Sequence, residues 1–101
     1  MIDLSSNRCV IDGELVEKDD LRFTPAGIPR ITLKVRHIST QIEAGVHRQV
    51  CCVVPMLALG ETALKVNSFD LGRQVSVVGF LAQRSLRITQ LVLHVDNIKL
   101  K

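Results

Sequence analysis

The 101-residue chain contains no tryptophan, no tyrosine and only three phenylalanines, Phe23, Phe69 and Phe80. That scarcity argues against a surface built from several stacked aromatic rings. Cysteine is equally scarce. Cys9, Cys51 and Cys52 cannot all pair within one chain, and neighbours on a strand point to opposite faces, so a disulfide framework is not expected. A structural zinc site lacks its four ligands, because there is no C-x-x-C and His37, His47 and His94 are scattered singly. The cysteines read as buried or half-buried small hydrophobes. No apolar run approaches the roughly 20 residues of a membrane-spanning helix. Met1-Ile2-Asp3-Leu4-Ser5 has neither the basic start nor the apolar stretch of a signal peptide, so a cytoplasmic protein without membrane contact is expected.

Catalytic constellations are missing too. Ser5-Ser6, Ser76 and Ser85 have no G-x-S-x-G context, Asp19-Asp20 reads as a solvated loop, and no glycine-rich loop suits a phosphate. The expectation is a protein that is not an enzyme and carries no cofactor and no metal.

A hydrophobic fraction of 47% beside 23% charged residues suits one globular domain over residues 1–101. β-Branched residues and leucines recur with period two in short runs between turn residues, an all-β pattern. The first strand is about Arg8 to Val16, with Cys9, Ile11, Gly13 and Leu15 on one side and a bulge or sharp bend at Gly13. Thr24-Pro25-Ala26-Gly27-Ile28-Pro29 is a connecting loop that closes a hairpin. The second strand, about Arg30 to Ser39, puts Ile31, Leu33, Val35 and His37 on one face and Arg30, Thr32, Lys34 and Arg36 on the other. After Gln41 to Gly45 turns the chain, the third strand runs about Val46 to Val54 and stops at Pro55. Met56 to Val66 is a helical turn or loop. A fourth strand spans about Gln74 to Ala82, bent at Gly79, and a fifth about Leu86 to Leu100. Five short strands with glycine corners fit a five-stranded OB-fold barrel, whereas a β-sandwich usually needs about seven.

The net charge of +3 is mild, so its distribution matters more than its size. Asp12, Glu14, Glu17, Asp19 and Asp20 gather early, while Arg30, Lys34, Arg36, Arg48, Arg84 and Arg87 fall later, which places the two signs on different surfaces.

Asn7-Arg8 with Gly13, Pro25-Ala26-Gly27-Ile28-Pro29, Glu43-Ala44-Gly45-Val46-His47-Arg48-Gln49, Val78-Gly79-Phe80 and Leu91-Val92-Leu93-His94 together resemble, in order, the pattern of the primosomal replication protein N (PriB) family. The resemblance spans nearly the whole chain. It implies a homodimeric OB-fold akin to single-strand binding protein, acting in replication restart by bridging single-stranded DNA and the PriA helicase, with DnaT as a further partner in some bacteria. Where it would place stacking aromatics, this chain has Val46 and Cys51. Where relatives carry a longer lysine-rich loop, it has only Gln83-Arg84-Ser85-Leu86-Arg87.

DNA binding is therefore expected to be weak and electrostatic, carried by Arg22, Lys34, Arg36, Arg48, Arg84 and Arg87, with His47 beside Arg48. Phe80 reads as core, Phe69 as the anchor of a loop, His94 as structural, and Phe23 as the one ring placed for stacking. An interaction hub with minor DNA affinity, or an RNA-binding OB protein, is the alternative.

Overall fold

The computed structural model describes residues 5–101. Period-two alternation becomes six strands and one helix: β1 (Cys9–Lys18), β2 (Arg22–Phe23), β3 (Pro29–Glu43), β4 (Val46–Leu59), α1 (Glu61–Asn67), β5 (Gln74–Gln83) and β6 (Leu91–Leu100). The sheet order is β1-β5-β6-β4-β3-β2, and β1 also pairs with β3, so five strands close a barrel with β2 outside it. All pairings are antiparallel except β4 with β6, which meet in parallel at Met56↔Leu93 and Leu57↔His94. A five-stranded barrel with a short helix between its third and fourth strands is the OB-fold arrangement.

Closure depends on β1 changing partners. Its first half pairs with β5 from Cys9↔Gly79 to Glu14↔Gln74, and its second half with β3 from Glu14↔Arg36 to Lys18↔Leu33. Gly13 sits at that switch, where a Cβ would lie 2.3 Å from the Arg36 carbonyl oxygen. The β1 irregularity itself falls between Leu15 and Glu17, so Gly13 permits a close crossing rather than forming the bulge.

Inward residues of the strands, among them Leu15, Ile31, Leu33, Val35, Met56, Val75, Val77, Leu93 and Ile98, form one buried cluster. Ala63 and Val66 of α1 join this cluster, as does Phe69, which anchors the loop between α1 and β5 in the core. The seven-residue helix is too short to stand by propensity. Lys18 reaches it from β1, its ammonium donating to the carbonyls of Asn67 (2.9 Å), Phe69 and Val66. A cation on the last carbonyls of a helix satisfies orphan acceptors and complements the dipole.

Several boundaries move relative to the pattern. β3 continues past Ser39 to Glu43, because the reversal needs only Ala44 (φ 52°) and Gly45 (φ 78°), positive at both as in a type I′ turn. β4 passes through Pro55 to Leu59; Pro55 stands opposite Lys34, one residue before β4 gains β6 as a second neighbour. A proline that precedes the second ladder does not interrupt it. β6 begins at Leu91 rather than Leu86, which is fully exposed in the 84–90 loop.

Phe80 is not in the core. Val75, Val77 and Gly79 take the inward positions of β5, which turns Phe80 outward. The cysteines also depart from expectation: Cys9 is half-buried, but Cys51 and Cys52 are exposed, because β3 and β4 run beyond the barrel as a projecting hairpin arm.

Candidate nucleic-acid interface

Burial of Ile31, Leu33 and Val35 forces Arg30, Thr32, Lys34 and Arg36 onto the outer face of β3. β2 lays Arg22 opposite Arg30, extending that basic row. Alongside it lies a groove of about 380 Å³. Pro55, Leu57 and Val92 give it apolar lining, while Arg30 and Lys34 from β3, Arg84 at the end of β5 and His94 of β6 supply polar flanks. The 84–90 loop rims it, held by Arg84 N–H donating to the Gln90 carbonyl (2.9 Å) and Ile88 N–H to Ser85 Oγ (3.1 Å).

The two charge signs are interleaved rather than separated. Arg22 pairs with Asp19 (4.0 Å), Lys34 with Glu17 (3.4 Å) and Arg36 with Glu14 (3.0 Å). The cause is topological: the antiparallel β1–β3 ladder sets Glu14 against Arg36 and Glu17 against Lys34. Arg30, Arg84 and Arg87 enter no ion pair among the described residues. Asp12 is engaged elsewhere, accepting from Lys101 (2.9 Å). Hydrogen bonds from Lys101 and then Ser76 hold its carboxyl below the ordinary value.

Arg22, Lys34, Arg36 and Arg84 are thus gathered on or beside one groove, and Arg87 lies on its rim loop. His47 and Arg48 are not gathered there. They sit at the arm tip, about 26 Å along the strands from Lys34 at roughly 3.3 Å per residue. Their side chains take opposite faces, His47 across from Ile42 and Arg48 bonded to Glu43 (3.1 Å). Val46 and Cys51 likewise lie on opposite faces of the arm, so they could not form one stacking platform. Phe23 is exposed on β2.

Arg30 and His94 join the site although the candidate set omitted them. Arg30 was legible, since it shares the parity of Lys34. His94 was not, because its place depends on a parallel β4–β6 contact that no local pattern encodes. Among the described residues, no group of three or more His, Cys, Asp or Glu side chains is placed to hold a metal ion. No helix among them is long and apolar enough to cross a membrane.

Residues 7–97 match a single-strand binding protein family. The chain is 33% identical over 97 residues to replication restart protein PriB of Nitrosomonas europaea, covering 96% of this chain and 90% of that one. With the protein of the same name from Proteus mirabilis it is 35% identical over 100 residues, covering 96% and 95%. The chain belongs to the PriB family.

The solved PriB of Ralstonia solanacearum superimposes with a TM-score of 0.86 at 30% identity, covering 95% of this chain and 98% of that one. The single-stranded DNA binding protein of Thermus aquaticus shares the fold, with a TM-score of 0.76 at 21% identity over 95% of this chain and 50% of that one. Some of the PriB-like residues of this sequence are architectural. Asn7 exchanges hydrogen bonds with the Leu81 backbone (2.8 and 2.9 Å), extending the β1–β5 ladder, and Ala44-Gly45 make the arm turn.

Proposed function

We propose that this chain is a replication-restart accessory protein that binds single-stranded DNA across the outer face of β3 and β4, weakly and mainly through phosphates. The observation that carries this reading is the placement of Arg30 and Arg84, without ion-pair partners, on opposite flanks of an apolar-lined groove on a closed OB barrel. Cations positioned to track a backbone supply sequence-independent affinity, and the OB-fold presents this face and its neighbouring loops to oligonucleotides. The same reading includes stimulation of the PriA helicase, with DnaT as a further partner. Fluorescence anisotropy with equal lengths of single-stranded DNA, duplex DNA and RNA tests it. Preference for single-stranded DNA supports the reading, and equal or better binding of RNA or duplex overturns it. Helicase stimulation that survives loss of DNA binding would instead favour an interaction hub, a role the exposed Ile38, Ile42 and Val53 of the arm would suit.

A homodimer belongs to the same proposal. Residues 9–13 of β1 have β5 on one edge only, and Val10 is 58% exposed, an open edge that a second copy would cover. Sedimentation at micromolar concentration should give twice 11.2 kDa, and a strict monomer would refute it.

The interleaved carboxylates add a further expectation. Exposed ion pairs are each worth about 0.2–1 kcal/mol, so phosphate can displace them, but only in competition. Glu14→Gln with Glu17→Gln should raise affinity for single-stranded DNA a few-fold at low salt, the reverse of a cation deletion. Unchanged affinity would mean that Lys34 and Arg36 do not touch the phosphates.

A further inference from the structure

Phe80 and His94 stand opposite each other on β5 and β6, their rings stacked with centroids 5.0 Å apart and planes at 18°. Both point away from the core, since Gly79 and Leu93 beside them fill the inward positions. Phe80 is 38% exposed. His94 is half-buried and lies next to Leu57, its register partner on β4, in the wall of the basic groove.

This juxtaposition is built by an irregularity. The β5–β6 ladder passes from Val78↔Asn97 to Gly79↔Val95, omitting Asp96, and that one-residue shift brings Phe80 opposite His94. The result is an outward-facing aromatic pair whose His94 ring lines the groove together with Lys34 and Arg84. Surfaces that hold single strands combine such rings with a cationic track, because every base has a π face while the phosphates run alongside.

We propose that the Phe80–His94 pair is a stacking platform for one nucleobase of a single strand whose phosphates follow Lys34 and Arg84. The proposal rests on the DNA-binding reading above and adds a component that phosphate contacts do not supply. It also relocates stacking from the arm, where Val46 and Cys51 offer no ring, to the β5–β6 side of the groove.

The test compares anisotropy titrations of labelled oligothymidylate with those of an abasic oligonucleotide of equal length, for the parent, Phe80→Leu and His94→Leu. A stacked base contributes roughly fivefold to 150-fold in affinity. The parent should therefore prefer oligothymidylate by at least about fivefold, and both variants should lose most of that preference, Phe80→Leu while binding the abasic strand as the parent does. Variants that keep the parental preference overturn the platform. So does a parent that binds both strands equally, with the DNA-binding reading left standing; a parent that binds neither strand overturns both. Should the leucine variants fail to fold, proton NMR of the parent decides. Ring-current shifts of the His94 and Phe80 ring protons on adding unlabelled oligothymidylate support the platform, and unmoved ring signals in a bound complex refute it.

Discussion

Gly79→Ala is expected to lower stability by about 3 kcal/mol, near the upper end for an overpacked interior site. A Cβ at this position would lie 2.0 Å from the His94 carbonyl oxygen and 2.7 Å from the Leu93 side chain. Backbone on the neighbouring strand cannot swing aside as a side-chain tip can, so β5 and β6 must separate where the ladder already shifts register. For a domain of this size the loss is about 15 °C in melting temperature. Gly27→Ala is the matched control: nothing lies within 4 Å of its Cβ, and only its φ of 83° opposes a side chain. That strain costs about 1–2 kcal/mol. Thermal melts of both variants check the ordering, and a Gly79→Ala protein as stable as Gly27→Ala would show that the close approach is not needed.

Arg30→Ala, Arg84→Ala and Arg87→Ala combined should flatten the salt dependence of single-stranded DNA binding by about two units of slope, at roughly 0.7 for each phosphate left without its cation. These three arginines have no carboxylate partners among the described residues. If parent and variant converge near 1 M salt, the same slope difference means about a hundredfold weaker binding at 0.1 M. Thermal stability should barely change, since all three residues are exposed. Arg48→Ala, at the arm tip and bonded to Glu43, should have a much smaller effect. Equal losses for Arg48→Ala and the triple variant would move the DNA path from the groove to the arm.

What the sequence made legible was local. Alternation in Arg30–Ser39 placed Lys34 and Arg36 on an outer face, and the glycines at 13 and 79 marked corners, because period and turn chemistry are written in neighbouring residues. Non-local features were hidden. The acidic residues of β1 face the basic ones of β3 only because the barrel closes through that pair, so a linear reading separated charges that the fold interleaves. Phe80 was misassigned for a different reason. Counting inward positions from Val75 through Val77 and Gly79 would have set it outside, but an apolar run after glycine reads as core when the parity is not followed. His94 needed both the β5–β6 register shift and the β4–β6 contact to become part of the groove wall.

The central claim, a phosphate-tracking groove on the outer barrel face, is tested most directly by the affinity of the unmodified protein for a single-stranded oligonucleotide between 0.05 and 0.5 M salt, roughly the range over which phosphate contacts weaken steeply. With Arg22, Arg30, Lys34, Arg36, Arg84 and Arg87 on this side and three of them partly neutralised, log K should fall linearly with log salt at a slope of about −2 to −4. A slope near zero would contradict the account.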